Sequence, residues 1–164
     1  MQRDRLITIL RDLRRREVQC IVVGGMAAVL NGAPVQTYDI DLVYSRDPAN
    51  IDHLAKFLAE ADAIFRIQLE RQLRPNESHL AAGGHLNLLT RYGPVDLLGT
   101  IGRGLNFVDL LPHAIEMDVG QGLSIPVLDL ETIIAVKEQL GSEKDLAALP
   151  LLRRTLAEMK KRST

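Results

Sequence analysis

The stretch IVVGGMAAVLNGAPVQTYDIDLVYSRD, residues 21–47, decides the fold prediction. An apolar run ends at Gly24-Gly25, a helix-length segment follows, and Asp39 and Asp41 then alternate with apolar residues in a second run. Side chains alternate across a strand, so both carboxylates are expected on one face, roughly 6.5–7 Å apart. This face is either exposed to solvent, which makes the acids incidental, or buried, where burial of unpaired acids costs several kcal/mol. In the buried case arginine, lysine or a divalent metal must compensate the charge.

The rest of the chain predicts a mixture of helices and strands. Helices are expected over 3–17, 26–32, 48–60, 107–113, 130–140 and 143–161. Strands are expected over 19–23, 39–44, 65–71, 85–91, 93–101, 114–119 and 123–128, with a loop over 74–84. This order favours a single α/β or α+β domain over residues 1–164, with a mixed sheet flanked by helices.

Composition narrows the possible classes of protein. The formal net charge of −1 over 164 residues gives no case for general nucleic-acid binding, although a local basic patch stays open. Cys20 is the single cysteine, so a disulfide within one chain is excluded. No apolar run approaches the roughly 20 residues that a membrane span needs, so we expect a cytoplasmic protein.

The glycine pair and a third acid extend the pattern. Gly24-Gly25 ends a predicted strand and begins a helix, where backbone N–H groups favour an anion such as phosphate, although such a pair is also common in a plain tight turn. Asp96, in the apolar run PVDLL, is another acid on a predicted strand, which by itself would be an ordinary surface residue. Together, three acids and a phosphate cradle indicate two-metal chemistry on a nucleoside triphosphate.

This glycine–acid run resembles the signature of the polymerase-beta-like nucleotidyltransferase superfamily. That signature is a hydrophobic strand, Gly-Gly or Gly-Ser, a helix-length spacer, and Asp-hydrophobic-Asp-hydrophobic. The resemblance implies a nucleotidyltransferase-like mixed sheet with helices at the C-terminus. It also implies that Gly24 and Gly25 hold the triphosphate and that Asp39 and Asp41 bind metal. Asp96 matches the third acid, which is a further metal ligand and helps activate the attacking hydroxyl.

The segment SIPVLDLETIIAVKEQLGSEKDLAAL, residues 124–149, resembles a narrower branch, the abortive-infection toxin-type nucleotidyltransferases. In that branch the helix lysine contacts phosphate, which implies this role for Lys137. The later aspartate supports the site, which implies the same for Asp145. Thr37 matches the threonine of the branch's R-x-T-x-D-x-D element and joins the nucleotide-binding set.

Two positions depart from the pattern of the branch. Val35 and Ser142 stand where arginines are usual, so two cations that neutralise phosphate charge are missing. These losses imply weaker binding or turnover, or a different substrate. His79 and His85 flank a glycine-rich segment, and we expect both to be surface or structural histidines.

The resemblance implies an enzyme that moves a nucleoside monophosphate from an NTP to a hydroxyl or phosphate acceptor and releases pyrophosphate. Two Mg²⁺ or Mn²⁺ ions would be held by Asp39, Asp41 and Asp96. Acceptors in the superfamily include RNA, with tRNA among them, proteins and small molecules. The alternative is a non-catalytic nucleotide-binding or regulatory module, such as one component of a toxin–antitoxin pair. The preferred nucleotide, the acceptor and the oligomeric state stay open.

Overall fold

The structure is a computed structural model that describes residues 2–163. Its helices are α1 (Gln2–Arg15), α2 (Gly24–Leu30), α3 (Pro48–Glu60), α4 (Glu77–Ala82), α5 (Phe107–Leu110), α6 (Leu130–Leu140) and α7 (Glu143–Arg162). Its strands are β1 (Cys20–Val23), β2 (Ile40–Tyr44), β3 (Ile64–Phe65), β4 (His85–Thr90), β5 (Gly93–Leu98), β6 (Thr100–Ile101), β7 (Leu105–Asn106), β8 (Ala114–Gly120) and β9 (Leu123–Leu128). Among these residues, each helix is too short or too polar to span a lipid bilayer.

A seven-stranded mixed sheet has the order β3-β4-β5-β2-β1-β9-β8, and β6 and β7 form a separate short ribbon. Strand β2 pairs in parallel with β5 and antiparallel with β1, which in turn pairs in parallel with β9. The predicted mixed sheet with flanking and C-terminal helices is therefore confirmed. Strands β1, β2 and β5, which carry the glycine–acid pattern, lie side by side at its centre.

Strand β2 is covered on both faces. Ile40, Leu42 and Tyr44 are buried on one face, as the alternation predicts, and Val43 is fully buried on the face that Asp41 shares. Helix α2 packs against β1, β2 and β9, and α6 packs against α2 and α7. Asp41 therefore does not lie on a solvent-facing strand, and it is partly buried.

The strand predicted over 65–71 is wrong beyond its first residue. Strand β3 ends at Phe65, and the chain turns at Gln68 and Gln72, whose φ angles are 56° and 46°. The Phe65 N–H donates to the Leu73 carbonyl at 2.9 Å, which closes residues 66–73 into a projecting loop. Alternating apolar residues here reflect a compact turn rather than an extended strand.

The loop predicted over 74–84 is also wrong, because it contains α4. Asn76 caps this helix: its side chain accepts from the His79 N–H, and the His79 ring accepts from the Asn76 N–H. Histidine here takes the place that glutamate or glutamine usually has in such a capping box. The sequence pattern therefore gave no recognisable signal for the start of α4.

Candidate active site

The parallel pairing of β2 and β5 brings two of the predicted acids together. In the register of these strands Asp41 lies directly opposite Asp96, and on the other side of β2 Val23 lies opposite Asp41. Residues in register on neighbouring strands project to the same face of the sheet. Two acids that are 55 positions apart in the sequence therefore meet as neighbours.

The environment of Asp41 disfavours a negative charge. Burial, the adjacent carboxylate of Asp96 and the charge of Asp39 together raise the pKa of Asp41 to about 7, with burial the largest cause. The nearby guanidinium of Arg66 opposes this shift without cancelling it. At neutral pH the Asp41 carboxylate is therefore stabilised by binding a proton or by a cation placed next to it.

Arg66 is the cation that the structure provides for these acids. Its Nη2 donates to Asp96 Oδ1 at 2.5 Å, and its Nη1 donates to the Leu88 carbonyl at 3.3 Å. The Arg66 backbone N–H is held by the Asn87 carbonyl at 2.9 Å. Arg66 belongs to no recognisable sequence motif, because its contact with Asp96 depends on the pairing of β3, β4 and β5.

Gly24 and Gly25 begin α2 and lie against the acids and the loop before β2. Gly24 has φ +65°, and a Cβ at this residue would stand 2.2 Å from Asp41 Oδ2. A Cβ at Gly25 would stand 2.9 Å from Thr37 Oγ1. The glycine pair is therefore required by close approach of polar side chains, and not only by the turn itself.

A cleft of about 310 Å³ opens beside the glycine–acid pair. Gly24 and Asp41 line one part of it, and Lys137 and Asp145 line another. Its remaining wall is mainly apolar and includes Leu98, Ile101, Leu128, Ile133, Val136 and Leu140. Residues from the centre of the sheet and from the two C-terminal helices thus line one cleft.

Lys137 and Asp145 form an ion pair at the helical side of the cleft. Lys137 Nζ lies 3.4 Å from Asp145 Oδ1, and the Ser142 hydroxyl donates to Asp145 Oδ2 at 2.6 Å. The Ser142 hydroxyl and Lys137 together hold the pKa of Asp145 below its usual value, with the hydroxyl the larger cause. This carboxylate therefore stays ionised and is already satisfied.

The two positions that lack the usual arginine have structural roles. Ser142 is the N-cap of α7, since its hydroxyl also accepts from the Asp145 N–H at 3.1 Å. Val35 packs against the hydrophobic core. An arginine at residue 142 would remove the cap, so serine there serves the helix and the orientation of Asp145.

The other predicted residues lie next to the cleft rather than on its wall. Asp96 contacts Asp41, Thr37 lies over Gly25, and Asp39 precedes β2 by one residue and acts on Asp41 through its charge. Within residues 2–163, no three His, Cys, Asp or Glu side chains are arranged as a ready metal site. The donor set nevertheless fits a hard divalent cation, because Asp41 and Asp96 present clustered oxygens whose charge Arg66 only partly neutralises.

The two histidines have different positions. His79 caps α4, and its ring packs edge-on against Phe65 with centroids 5.0 Å apart, which agrees with the structural role expected for it. His85 begins β4, opposite Leu98, and its side chain lines the cleft. The sequence offered no signal for this placement, since it follows from the β4–β5 register.

Solved structures with this fold include three that bear on function. A protein of Thermotoga maritima provisionally described as a nucleotidyltransferase aligns with a TM-score of 0.56 and 22% identity, over 96% of each chain. The lincosamide antibiotic adenylyltransferase LnuA, with lincomycin bound, aligns with a TM-score of 0.61 and 17% identity, over 92% of this chain and 95% of that one. The antibiotic-resistance factor ANT(2'')-Ia aligns with a TM-score of 0.55 and 13% identity, over 99% of this chain and 92% of that one.

The sequence itself matches no protein-family model and no curated protein. The structural likeness therefore carries the comparison, and it establishes that the chain has the nucleotidyltransferase fold.

Proposed function

We propose that the protein is a metal-dependent nucleotidyltransferase that moves a nucleoside monophosphate from an NTP to an acceptor hydroxyl or phosphate and releases pyrophosphate. The observation that carries this proposal is the meeting of Asp41 and Asp96 in register beside Gly24, on a cleft that Lys137 also lines. The shared fold with known nucleotidyltransferases supports the proposal. A fold by itself does not define chemistry, so the assignment of this function depends on these side chains.

The acids are assigned to metal binding. Asp41 and Asp96 hold divalent magnesium, or manganese in its place, and Asp39 supplies a third carboxylate from the residue before β2. When bound, such ions neutralise charge on the triphosphate and lower the pKa of the attacking group. The raised pKa of Asp41 fits this assignment, because a partly buried carboxylate beside other acids is stabilised when a cation binds next to it.

The transfer step follows from the positions of the groups. An oxygen of the acceptor attacks the α-phosphorus of the NTP, the bond between the α- and β-phosphates breaks, and pyrophosphate leaves. Asp96 lies at the acid pair and takes part in removing the proton of the attacking hydroxyl. The reaction is an in-line displacement, in which the protein mainly positions groups and stabilises charge.

The glycines and the helical side of the cleft are assigned to the nucleotide. Gly24 and Gly25 let the triphosphate approach the backbone at the start of α2, where Val23 offers no side-chain acceptor for the first N–H groups. Thr37 orients the loop over Gly25. Lys137 binds a phosphate oxygen, and Asp145 holds the lysine in place.

The acceptor is RNA, including tRNA, a protein or a small molecule. A small-molecule acceptor is supported by the structural neighbour LnuA, a lincosamide antibiotic adenylyltransferase with lincomycin bound. The resemblance of residues 124–149 to the toxin-type branch favours an RNA or protein acceptor and a role in a toxin–antitoxin pair. A cytoplasmic location follows from the supply of NTPs and magnesium there.

The direct test is transfer of label. The purified protein is incubated with each α-labelled NTP and magnesium, with total cellular RNA, cell lysate or lincomycin as acceptor. The proposal expects label on one acceptor class, with matching release of pyrophosphate and loss of both on chelation of the metal. Label that persists in Asp41→Asn would come from a contaminant and would remove the support for this site.

A second candidate is the non-catalytic nucleotide-binding or regulatory module. Its supporting observation is the ion pair of Arg66 with Asp96, since an acid that is permanently neutralised in this way is a structural residue rather than a metal ligand. Calorimetry with ATP, GTP, CTP and UTP separates the two. A module binds an NTP equally with and without magnesium and releases no pyrophosphate, whereas the enzyme requires the metal.

A further inference from the structure

The acid cluster and its counter-ion do not balance. The carboxylates of Asp39 and Asp96 both act on Asp41, and the guanidinium of Arg66, which donates to Asp96, opposes them. The exposed fraction of the side chain is 26% for Arg66 and 15% for Asp96, so this pair is screened from solvent more than the surface ion pairs are. A shielded pair of this kind is held by charge-assisted hydrogen bonding.

The backbone of Arg66 is held by the sheet, whereas its side chain can rotate away from Asp96 without moving the backbone. The backbone N–H is bonded to the Asn87 carbonyl, and the residue stands at the end of β3, beside β4. Within its side chain, Nη1 contacts the Leu88 carbonyl at 3.3 Å and Nη2 contacts Asp96 Oδ1. Rotation of the side chain therefore breaks two hydrogen bonds and disturbs no pairing of the sheet.

The guanidinium also occupies one of the two carboxylate oxygens of Asp96 that could bind a metal. A divalent cation binds carboxylate oxygens at about 2.0–2.6 Å. The Arg66 nitrogen already lies 2.5 Å from Asp96 Oδ1. Two cations at such distances from one oxygen repel each other strongly in a partly buried site, so simultaneous binding is disfavoured.

We propose that Arg66 is a displaceable internal counter-ion, and that a divalent cation binds Asp41 and Asp96 by displacing the Arg66 guanidinium from Asp96. This inference rests on the proposed function, because it takes these acids to be metal ligands. It makes Arg66 a positioning residue that stabilises the metal-free fold and weakens the apparent affinity for metal. An ordinary structural ion pair would have the first effect without the second.

The test measures manganese binding by Arg66→Met and Arg66→Gln, which remove the charge while keeping much of the side-chain volume. Free Mn²⁺ is followed by electron paramagnetic resonance in the absence of nucleotide. Both variants are expected to bind Mn²⁺ about tenfold more tightly than the wild type, which is the factor that corresponds to loss of a hydrogen bond of about 1.4 kcal/mol. Unchanged or weaker binding in both variants would overturn the inference.

A matched control and a double-variant cycle locate the effect. Arg74→Met removes an exposed arginine of the same region, which pairs with Asp62 at 3.8 Å, and it should bind Mn²⁺ as the wild type does. In an Asp96→Asn background, Arg66→Met should no longer tighten binding, since the competition for that carboxylate is gone. A gain from Arg66→Met that persists in Asp96→Asn would overturn the inference, because Arg66 would then act through general charge.

Thermal unfolding gives an independent readout. Together with Mn²⁺ binding, it distinguishes failure of the counter-ion role of Arg66 from failure of the metal assignment. Without metal, Arg66→Gln should melt below the wild type, and added Mn²⁺ should raise its melting temperature by more than it raises that of the wild type. If the wild type binds Mn²⁺ and Arg66→Gln binds it no better, only the counter-ion role fails. If neither the wild type nor the variants bind Mn²⁺, the metal assignment of the proposed function fails with it.

Discussion

Two ion pairs, one next to the cleft at the sheet and one on its helical wall, differ in how fully their carboxylates are paired. At the sheet, Asp96 pairs with Arg66, and the same guanidinium also opposes the effects of Asp96 and Asp39 on Asp41. At the helices, Asp145 has Lys137 on one oxygen and the Ser142 hydroxyl on the other. The first side has excess negative charge, while the second is balanced.

The pKa shifts express the same difference. The pKa of Asp41 is raised to about 7 by burial and by its acidic neighbours. The pKa of Asp145 is lowered by the Ser142 hydroxyl and by Lys137. This difference supports the proposal that the sheet side binds a cation, whereas the carboxylate on the helical side is already paired.

The largest effect is expected from Asp41→Asn on nucleotide transfer. This substitution keeps the shape of the side chain and removes one of the carboxylates proposed to bind metal. We expect kcat/KM for metal-dependent transfer to fall at least about hundredfold, which corresponds to ~2.7 kcal/mol. Initial rates of pyrophosphate release measure it, and Asp62→Asn, at an exposed acid with φ 54° that asparagine tolerates, is the control. Equal rates for wild type and Asp41→Asn would exclude the acid from catalysis.

Gly24→Ala should destabilise the fold, because Gly24 has a positive φ angle and no room for a Cβ beside Asp41. Both Gly24 and Gly32 have positive φ angles, +65° and +99°, but only at Gly24 does a Cβ meet a neighbour, Asp41 Oδ2. Gly24→Ala should therefore lower the free energy of unfolding by about 2 kcal/mol more than Gly32→Ala does. Urea unfolding of the two variants measures the difference. Identical losses would mean that Gly24 is needed only for the turn.

The pH dependence of stability should have opposite signs on the two sides. The pKa of Asp41 rises from an ordinary value of 3.8 to about 7, so the folded state binds the proton more tightly and stability is lost as pH rises through this window. Metal-free Asp41→Asn, which does not titrate there, should gain on the order of 1–2 kcal/mol over the wild type above pH 7, after allowance for partial exposure. The gain should vanish below pH 3.8.

Asp145→Asn supplies the opposite case. The lowered pKa of Asp145 contributes stability above the pKa of the unfolded chain, and this stability is lost as pH falls through the folded pKa. The variant should therefore be less stable than the wild type at neutral pH and equal to it in acid. Unfolding curves at a series of pH values measure both variants. Shifts of the same sign would remove the electrostatic contrast between the two sides.

The smallest effect is expected from Lys137→Ala. The lysine lines the cleft and pairs with Asp145, so its loss should weaken NTP binding by about tenfold, or ~1.4 kcal/mol. Lys160, which pairs with Glu131 on the exposed surface, is the control, and Lys160→Ala should bind NTP as the wild type does. Fluorescent nucleotide titration measures both. Equal affinities for the two variants would place Lys137 in the scaffold.

The central part of the fold could be predicted because its signals are local. The apolar run before Gly24, the alternation around Asp41 and the proline that begins α3 at Pro48 each specify a neighbouring turn or element. The register that places Asp96 opposite Asp41 is not specified by any one of these segments. Gly24 and Asp41 could be named from local signals, whereas Lys137 and Asp145 were named from the resemblance of residues 124–149 to a known branch.

The region between residues 64 and 92 could not be predicted in the same way. Helix α4 begins with an unusual capping pair, and β3 is ended by a left-handed turn at Gln68, which period and propensity do not reveal. Arg66 and His85 reach the site only through the registers of β3, β4 and β5. Such long-range pairing is specified by the whole sheet rather than by any short stretch.

The central claim is that the acid pair and the glycines form a magnesium-dependent NTP site. The most direct test is calorimetric titration of ATP, GTP, CTP and UTP into the wild type and into Asp41→Asn, each with magnesium and with chelator. The account predicts that the wild type binds at least one NTP in magnesium and far more weakly in chelator, and that Asp41→Asn loses the magnesium dependence. Absence of binding for all four nucleotides, or equal magnesium-dependent binding by Asp41→Asn, would contradict it.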